Sequence, residues 1–311
     1  MRIAFVGLPL AALLLLEDGH ELVYAGVCRT GAPGTRRLRR LLGEGRVFVK
    51  PDLSAHAGHI RALSPDLLVS WFWTLRVPGE VRSAARLGAF GVHPSLLPRH
   101  RGPDPYFWAI DSGDEVTGVT AHLLEAGYDT GALLGSRKLS IDPSWNAWTL
   151  AKKLDRLSLA LLRQVARAMA EGRAPTPAPQ DEGLATLAPL PTEEDLEIDW
   201  ARPAADIVRR IRAAAPFPGA FTFLGDELLI IERAGLASSL PLSLSRGEAA
   251  VRQDGIAVVR ASDGGVELLA GRIAGDGDDE LGLGPEEIAR LIQSASRGGK
   301  GVPLRDALSI D

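Results

Sequence analysis

Short apolar runs alternate with segments of helical periodicity through the first half of the chain. Residues 3–6, 21–27, 47–49, 67–71 and 89–93 read as buried strands, with helices expected near 10–16 and 79–87 between them. This alternation predicts an α/β fold, a Rossmann-like, mostly parallel sheet with helices on both faces. A further strand is expected at 118–124. Residues 145–169 then read as one long helix, because leucines 150, 154, 157, 161 and 162 recur on a single stripe at 3.6 residues per turn.

Pro175, Pro177, Pro179, Pro189 and Pro191 interrupt the next stretch, which therefore cannot be regular helix or central sheet. Beyond it come a helix at 204–214, a turn in PFPGA at 216–220, and short strands at 220–224, 228–232, 256–260 and 266–273. Short strands with Gly/Asp turns predict a smaller carboxyl-terminal OB-like β-barrel domain. The expected division is a first domain at 1–172, a proline-rich linker at 173–202 and a second domain at 203–311.

Composition narrows the function. A chain of 311 residues that is 46% hydrophobic can bury a real core, and its formal charge of -4 removes any global cationic field for nucleic acid. Arg36, Arg37, Arg39 and Arg40 form a local exception. The single cysteine, Cys28, excludes an intramolecular disulfide and fits a reducing cytoplasm. The apolar opening is broken by Gly7 and Pro9 and ends at Glu17-Asp18 with no small-residue cleavage site, so it reads as strand, turn and helix rather than as a secretory signal. No run reaches the roughly 18 to 20 apolar residues that span a bilayer, and a soluble, cytoplasmic protein without membrane partners is expected. His20, His56, His59 and His122 lack metal-ligand spacing, so no metal is expected. Gly7-Leu8-Pro9 has too few glycines for a dinucleotide fingerprint.

The chemistry concentrates in GVHPSLLPRHRG at 91–102 and GYDTG at 127–131. His93 falls at the carboxyl end of a strand, where open α/β sheets keep their ligands, and Pro94 stops the ladder immediately after it. Asp129 lies in the turn that follows the next strand. A carboxylate within reach of an imidazole fixes its tautomer and favours its protonated form, so the two residues together make a proton-transfer device.

With FVGLP at the start, HPSLLPRHRGPDP, DTG, PQDEGLATLAP at 179–189, IDW at 198–200 and RAAAPFPGAFT at 212–222, the chain resembles the folate-dependent N-formyltransferases. That family includes methionyl-tRNA formyltransferase and the sugar-amine formyltransferases. The resemblance implies an amino-terminal domain that binds 10-formyltetrahydrofolate as formyl donor and a carboxyl-terminal barrel that helps to engage the acceptor. It also implies a catalytic Asn-x-His with a distant Asp. Here His93 matches the histidine, Asp129 the aspartate, and Gly91 occupies the asparagine position. Loss of one oxyanion donor typically costs about 10² to 10³ in rate.

The folate-binding positions implied by the resemblance are Leu75, Arg76 and Val77, then Ser95, Leu96, Leu97 and Pro98, then Glu125, Ala126, Gly127 and Tyr128. SWFWTL at 70–75 and GAF at 88–90 read closer to the sugar-amine enzymes, so the primary amine of a small molecule, an amino sugar or natural-product precursor, ranks first as acceptor. Methionyl-tRNA ranks second, supported by the Arg36 to Arg40 cluster. A third reading is a folate-binding homologue whose activity is lost or altered, to donor hydrolysis or cyclisation, because of Gly91. The pattern sets no oligomeric state.

Overall fold

The computed structural model describes residues 1–241, 243–274, 282–296 and 301–305; the parts of the expected second domain at 242, 275–281, 297–300 and 306–311 lie outside the described residues. The chain divides into two compact units. The first comprises Met1–Pro105, Val116–Ser140 and Ala151–Pro189, and the second Tyr106–Glu115, Ile141–Leu150 and Leu190–Asp311. The stretch expected as a linker at 173–202 is thus shared between the two, with the change at Pro189.

In the first unit, β1 (Arg2–Gly7), α1 (Pro9–Glu17), β2 (Glu21–Val27), α2 (Thr35–Leu42), β3 (Val47–Val49), α3 (Leu53–Ala62), β4 (Leu67–Trp71), α4 (Gly79–Arg82) and β5 (Ala89–His93) follow the alternation of the sequence. Two further strands, β6 (Val116–Leu123) and β7 (Leu133–Ser140), complete a seven-stranded sheet of order β3-β2-β1-β4-β5-β6-β7. It is parallel through β5 and antiparallel in its last two strands. Every residue of β4 and β5 is buried, as expected of strands covered on both faces. Two elements depart from the periodicity. The helix expected at 79–87 is the single turn α4, and β7 carries no clear alternation because most of its residues are exposed or half-buried.

The strand order reverses between β1 and β4, the type of place where open α/β sheets bind ligands beyond their carboxyl ends. Gly7 ends β1 at φ +142°, and the Leu8 amide donates to the Trp71 carbonyl at 3.0 Å. A Cβ on Gly7 would lie 1.8 Å from that carbonyl oxygen, so the approach of β1 to β4 tolerates no side chain there. On the helix Ala147–Ala170, the Ser158 hydroxyl accepts from Trp71 Nε1 at 2.8 Å, and Arg163 Nε donates to Asp18 at 2.7 Å. Of the stripe read from the sequence on this helix, Leu150, Leu154, Leu161 and Leu162 are buried and Leu157 is half-buried.

The second unit is a barrel. β8 (Ala220–Leu224), β9 (Glu227–Leu236), β10 (Glu248–Val251), β11 (Ala257–Arg260), β12 (Gly265–Ile273), β13 (Gly282–Leu283) and β14 (Val302–Arg305) pair antiparallel throughout. Six of them close on themselves in the order β11-β10-β14-β8-β9-β12, because β12 also pairs with β11, and β13 adds to β12 outside the ring. Closure removes the exposed edges that short strands would otherwise present. The helix Ala204–Ala214 buries Ile207 and Ile211, and Trp200 Nε1 donates to Thr222 Oγ1 at 3.1 Å.

Gly7→Ala is expected to destabilise the protein by about 3 kcal/mol, because the backbone of β1 or β4 must move to admit the methyl group. Urea denaturation measures this, and a change below about 1 kcal/mol would show that the close approach is not required.

Candidate active site

Three adjacent strands build the site. Their register places Ser70 of β4 beside Gly91 of β5, Gly91 opposite His122 of β6, and His93 opposite Thr120. Because side chains alternate along a strand, Ser70, Gly91, His93, Thr120 and His122 share one face. After His93 the chain folds back over this face. The Thr120 hydroxyl donates to the Ser95 carbonyl at 2.7 Å and accepts from the Leu97 amide at 3.1 Å, and the Ser95 hydroxyl donates to the Arg99 carbonyl at 2.6 Å. This fold-back delivers the His100 carbonyl to 2.8 Å from His93 Nε2.

The turn between β6 and β7 brings in the carboxylate. Gly131 lies so close to the end of β6 that a Cβ would sit 1.8 Å from the Leu123 carbonyl oxygen, and Asp129 adopts φ 56°, in the left-handed region. Asp129 Oδ2 lies 3.5 Å from His93 Nδ1 and accepts from the Gly102 amide at 2.9 Å. Its Oδ1 lies 3.6 Å from His122 Nε2. The histidine and aspartate singled out in the sequence therefore converge, and a second histidine joins them.

The hydrogen-bond chemistry of the two imidazoles differs. Both nitrogens of His93 face acceptors, a carbonyl and a carboxylate, so a neutral ring satisfies one of them and a protonated ring satisfies both. Nδ1 of His122 faces the Leu123 carbonyl at 2.9 Å, which can only accept, so that nitrogen carries the proton of the neutral ring and Nε2 presents a lone pair to Asp129. Burial pushes the His122 pKa down to about 4; the Asp129 carboxylate opposes this shift, whereas His93 and Arg101 reinforce it. At neutral pH His122 is an uncharged neighbour of the carboxylate.

Residues that the sequence reading passed over close the site from below. Gln180 Nε2 donates to the carbonyls of Asp129 and Gly131, both at 2.7 Å, and the Thr186 hydroxyl accepts from the His100 amide at 2.8 Å. Both lie in PQDEGLATLAP, which composition presents as linker. His122 was also legible, since it alternates with Thr120 along an apolar strand, but only the register shows what it faces.

The expected folate-binding positions separate into two groups. Leu75 and Tyr128 are exposed large apolar side chains, and the Arg76 guanidinium lies over the Tyr128 ring at 5.5 Å from its centroid, so the loop after β4 and the turn before Asp129 face each other. Glu125 and Ala126 are exposed beside them, Gly127 is half-buried with Thr130 packed against its Cα, and Val77 packs on the core with Trp73 and Leu124. Ser95 and Leu97 are instead buried, so they shape the fold-back rather than offer side chains. Leu96 packs over Gly118, and the Pro98 carbonyl accepts from the Thr186 amide. At Gly91 a Cβ would meet Leu124 Cδ2 at 3.2 Å and the Ser70 carbonyl oxygen at 3.4 Å, a tight position that the flexible Leu124 tip can relieve.

Elsewhere on the first unit, Arg36, Arg37 and Arg40 are exposed on α2, while Arg39 pairs with Glu44 at 3.3 Å. No helix among the described residues is long and apolar enough to cross a membrane.

Comparison with known proteins places these features in a family. Residues 50–166 match the formyl transferase family and residues 191–277 the formyl transferase C-terminal domain. A methionyl-tRNA formyltransferase of Acidobacterium capsulatum is 32% identical, with the match covering 99% of this chain and 96% of its own. One of Chlorobium chlorochromatii is 38% identical over 88% of this chain and 93% of its own. Among solved structures, an N-formyltransferase from Helicobacter canadensis in complex with folinic acid and dTDP-3-aminofucose has a similar fold (TM-score 0.66, 13% identity, 86% of this chain and 98% of that one). HypX from Aquifex aeolicus in complex with tetrahydrofolic acid gives a TM-score of 0.62 at 22% identity over 98% of this chain, which spans 48% of HypX.

Because the folded state disfavours protonation of His122, the unfolded chain binds more protons between about pH 6.5 and about 4, and stability falls as the pH is lowered through that window. The contribution of His122 to the slope is expected to approach about 1.4 kcal/mol per pH unit. Denaturant titrations across pH are expected to show this loss in the parent and its removal in His122→Gln; parallel curves for the two proteins would refute the assignment.

Proposed function

The chain belongs to the formyl transferase family, and from that membership we propose that it transfers the formyl group of 10-formyltetrahydrofolate to the amino group of methionyl-tRNA. The observation that carries the chemistry is the Asp129 carboxylate at 3.5 Å from the imidazole of His93, an imidazole whose two nitrogens both face acceptors. An amine that attacks a formyl carbon must lose a proton, and a ring that completes its hydrogen bonds only when protonated is suited to receive it. Asp129 holds the ring in orientation and balances its charge. His122 is kept neutral by burial and adds no competing cation.

The folate supplies the formyl group: the new amide bond forms as the bond from the formyl carbon to the folate nitrogen breaks, and that nitrogen leaves as the amine of tetrahydrofolate on taking up the proton held by His93. Leu75, Tyr128 and the Arg76 guanidinium stacked on Tyr128 offer apolar and cationic surface for a flat ring system, and the fold-back of Ser95 to Pro98 forms the wall next to His93. Gly91 offers no side-chain donor on the face it shares with His93, so stabilisation of the developing charge rests on the remaining groups.

The acceptor reading rests on the relatives, which are methionyl-tRNA formyltransferases over most of this chain, and on the exposed arginines of α2. The two tryptophans of the segment that ranked a small amine first are engaged in packing. Trp71 is buried with its ring nitrogen bonded to Ser158, and Trp73 packs against the hydrophobic core.

Release of tetrahydrofolate, followed with methionyl-tRNA and separately with amino-sugar nucleotides, tests the acceptor. Turnover with the tRNA, weakening steeply with salt, is expected; turnover with the sugar alone would overturn the reading. His93→Ala and Asp129→Asn are each expected to lower kcat by roughly 10² to 10⁴, and either variant at the parental rate would remove the mechanism. Gly91→Asn, which places an amide donor on the face shared with His93 once the Leu124 tip gives way to its Cβ, is expected to raise kcat by about one to two orders of magnitude.

A further inference from the structure

We infer that Gln180 is a positioning residue for Asp129, so that a segment of linker-like composition sets the geometry of the catalytic carboxylate. The inference rests on the proposed role of Asp129. Two main-chain carbonyls, those of Asp129 and Gly131, converge on one point, and two such oxygens repel each other unless a group with two donors stands between them. Gln180 Nε2 is that group, at 2.7 Å from each. The carbonyl end of the same amide is also engaged, since Gln180 Oε1 accepts from Arg101 Nε at 3.1 Å and from Nη2 at 2.7 Å. Both donors and both lone pairs of the side chain are therefore used.

The bonds form a closed circuit. Arg101 is buried, and its guanidinium is oriented by a bidentate pair with Glu182, at 2.8 Å from Nη1 and 2.7 Å from Nη2. The next residue in the chain is Gly102, whose amide donates to Asp129 Oδ2. The circuit thus runs from the Asp129 carbonyl through Gln180 and Arg101 to Gly102 and back to the Asp129 carboxylate. It fixes main chain and side chain of one residue together, at a left-handed φ of 56° that an L-residue otherwise leaves readily. Neighbouring main-chain pairs seat the segment: Ala178 with Leu133, and Arg101 with Leu187. Without the two donors of Gln180, the carbonyls must turn outward to find water, and the carboxylate turns away from His93 with them.

Gln180→Glu keeps the shape and the acceptor for Arg101 but removes both donors, and Gln180→Met removes donors and acceptor alike. Two readouts decide the matter. In imidazole ¹⁵N spectra of the full-length protein, with His93 assigned through His93→Gln, both variants are expected to move the His93 resonances in the direction seen in Asp129→Asn. In formyl transfer to methionyl-tRNA, kcat is expected to fall roughly ten- to a hundredfold while KM for the formyl donor stays within about twofold. Combined with Asp129→Asn, a Gln180 substitution is expected to cost nothing further, because it acts through a carboxylate that is already gone.

His93 resonances that stay at parental positions in the folded Gln180 variants, while Asp129→Asn moves them, would overturn the inference and leave the role of Asp129 standing. Losses in kcat that multiply in the double variant would do the same. If Asp129→Asn itself moves neither the resonances nor the rate, the underlying reading of the site fails, and the inference falls with it. Thermal unfolding separates these outcomes from loss of fold, and if Gln180→Met does not fold, Gln180→Glu decides alone.

Discussion

A carboxylate in a largely desolvated position is costly unless it is hydrogen-bonded and close to groups that can share its charge. Asp129 meets that condition through the Gly102 amide, which donates to Oδ2, and through His93 beside the same oxygen; the neutral His122 faces Oδ1 without donating to it. Its main chain adopts a conformation that costs on the order of 1 kcal/mol or more for a residue with a side chain. The surrounding contacts offset that cost, and what they secure is an oriented charge beside an imidazole before any substrate arrives. Preorganisation of this kind is what makes electrostatic groups effective, because no reorganisation is needed during the reaction.

The rest of the first unit serves this placement. A sheet buried on both faces gives β4, β5 and β6 a fixed register, and the register lines up Ser70, Gly91, His93, Thr120 and His122 on one face. Pro94 ends β5 immediately after the histidine, and the fold-back held by Thr120 returns the His100 carbonyl to the ring. Glycines occur where backbone must meet backbone: Gly131 against the end of β6, and Gly118 against β7, with the Leu96 tip also closer than a Cβ would allow. Side chains at these points would push apart the elements that carry the carboxylate and the imidazole.

Two histidines on one carboxylate take opposite roles through their surroundings. His122 is kept neutral by burial, against the pull of the Asp129 carboxylate and the Leu123 carbonyl, both of which favour its protonated form. His93 has an acceptor at each nitrogen, the His100 carbonyl at Nε2 and the Asp129 carboxylate at Nδ1. The same side-chain type beside the same charge thus meets two surroundings: a buried ring whose Nδ1 faces a carbonyl and whose Nε2 faces the carboxylate as a lone pair, and a ring with an acceptor at each nitrogen.

Much of this was legible from residue order. The bounds of β2, β3, β4, β5 and β8 follow from apolar runs between Gly, Pro and polar breaks, and the pairing of His93 with Asp129 follows from two motifs in turns after strands. β7, β10 and β14 were not legible: β7 is mostly exposed or half-buried, and β10 and β14 are four residues each, so that even the alternating burial of β14 is too short a signal to stand out. Prolines at 175, 177, 179 and 189 exclude a regular α-helix or a central strand, yet say nothing about packing, so Gln180 and Thr186 belonged to a quoted motif without any role in the site. The sequence by itself determined the fold class, the bounds of several strands and the placement of a histidine at the end of one strand and an aspartate in the turn after the next, since these depend on local periodicity and turn chemistry. Only the tertiary structure decided that His122 and Gln180 share the carboxylate and its turn, because strand register and the return of a distant segment set which groups stand opposite one another, and neither is encoded in spacing along the chain.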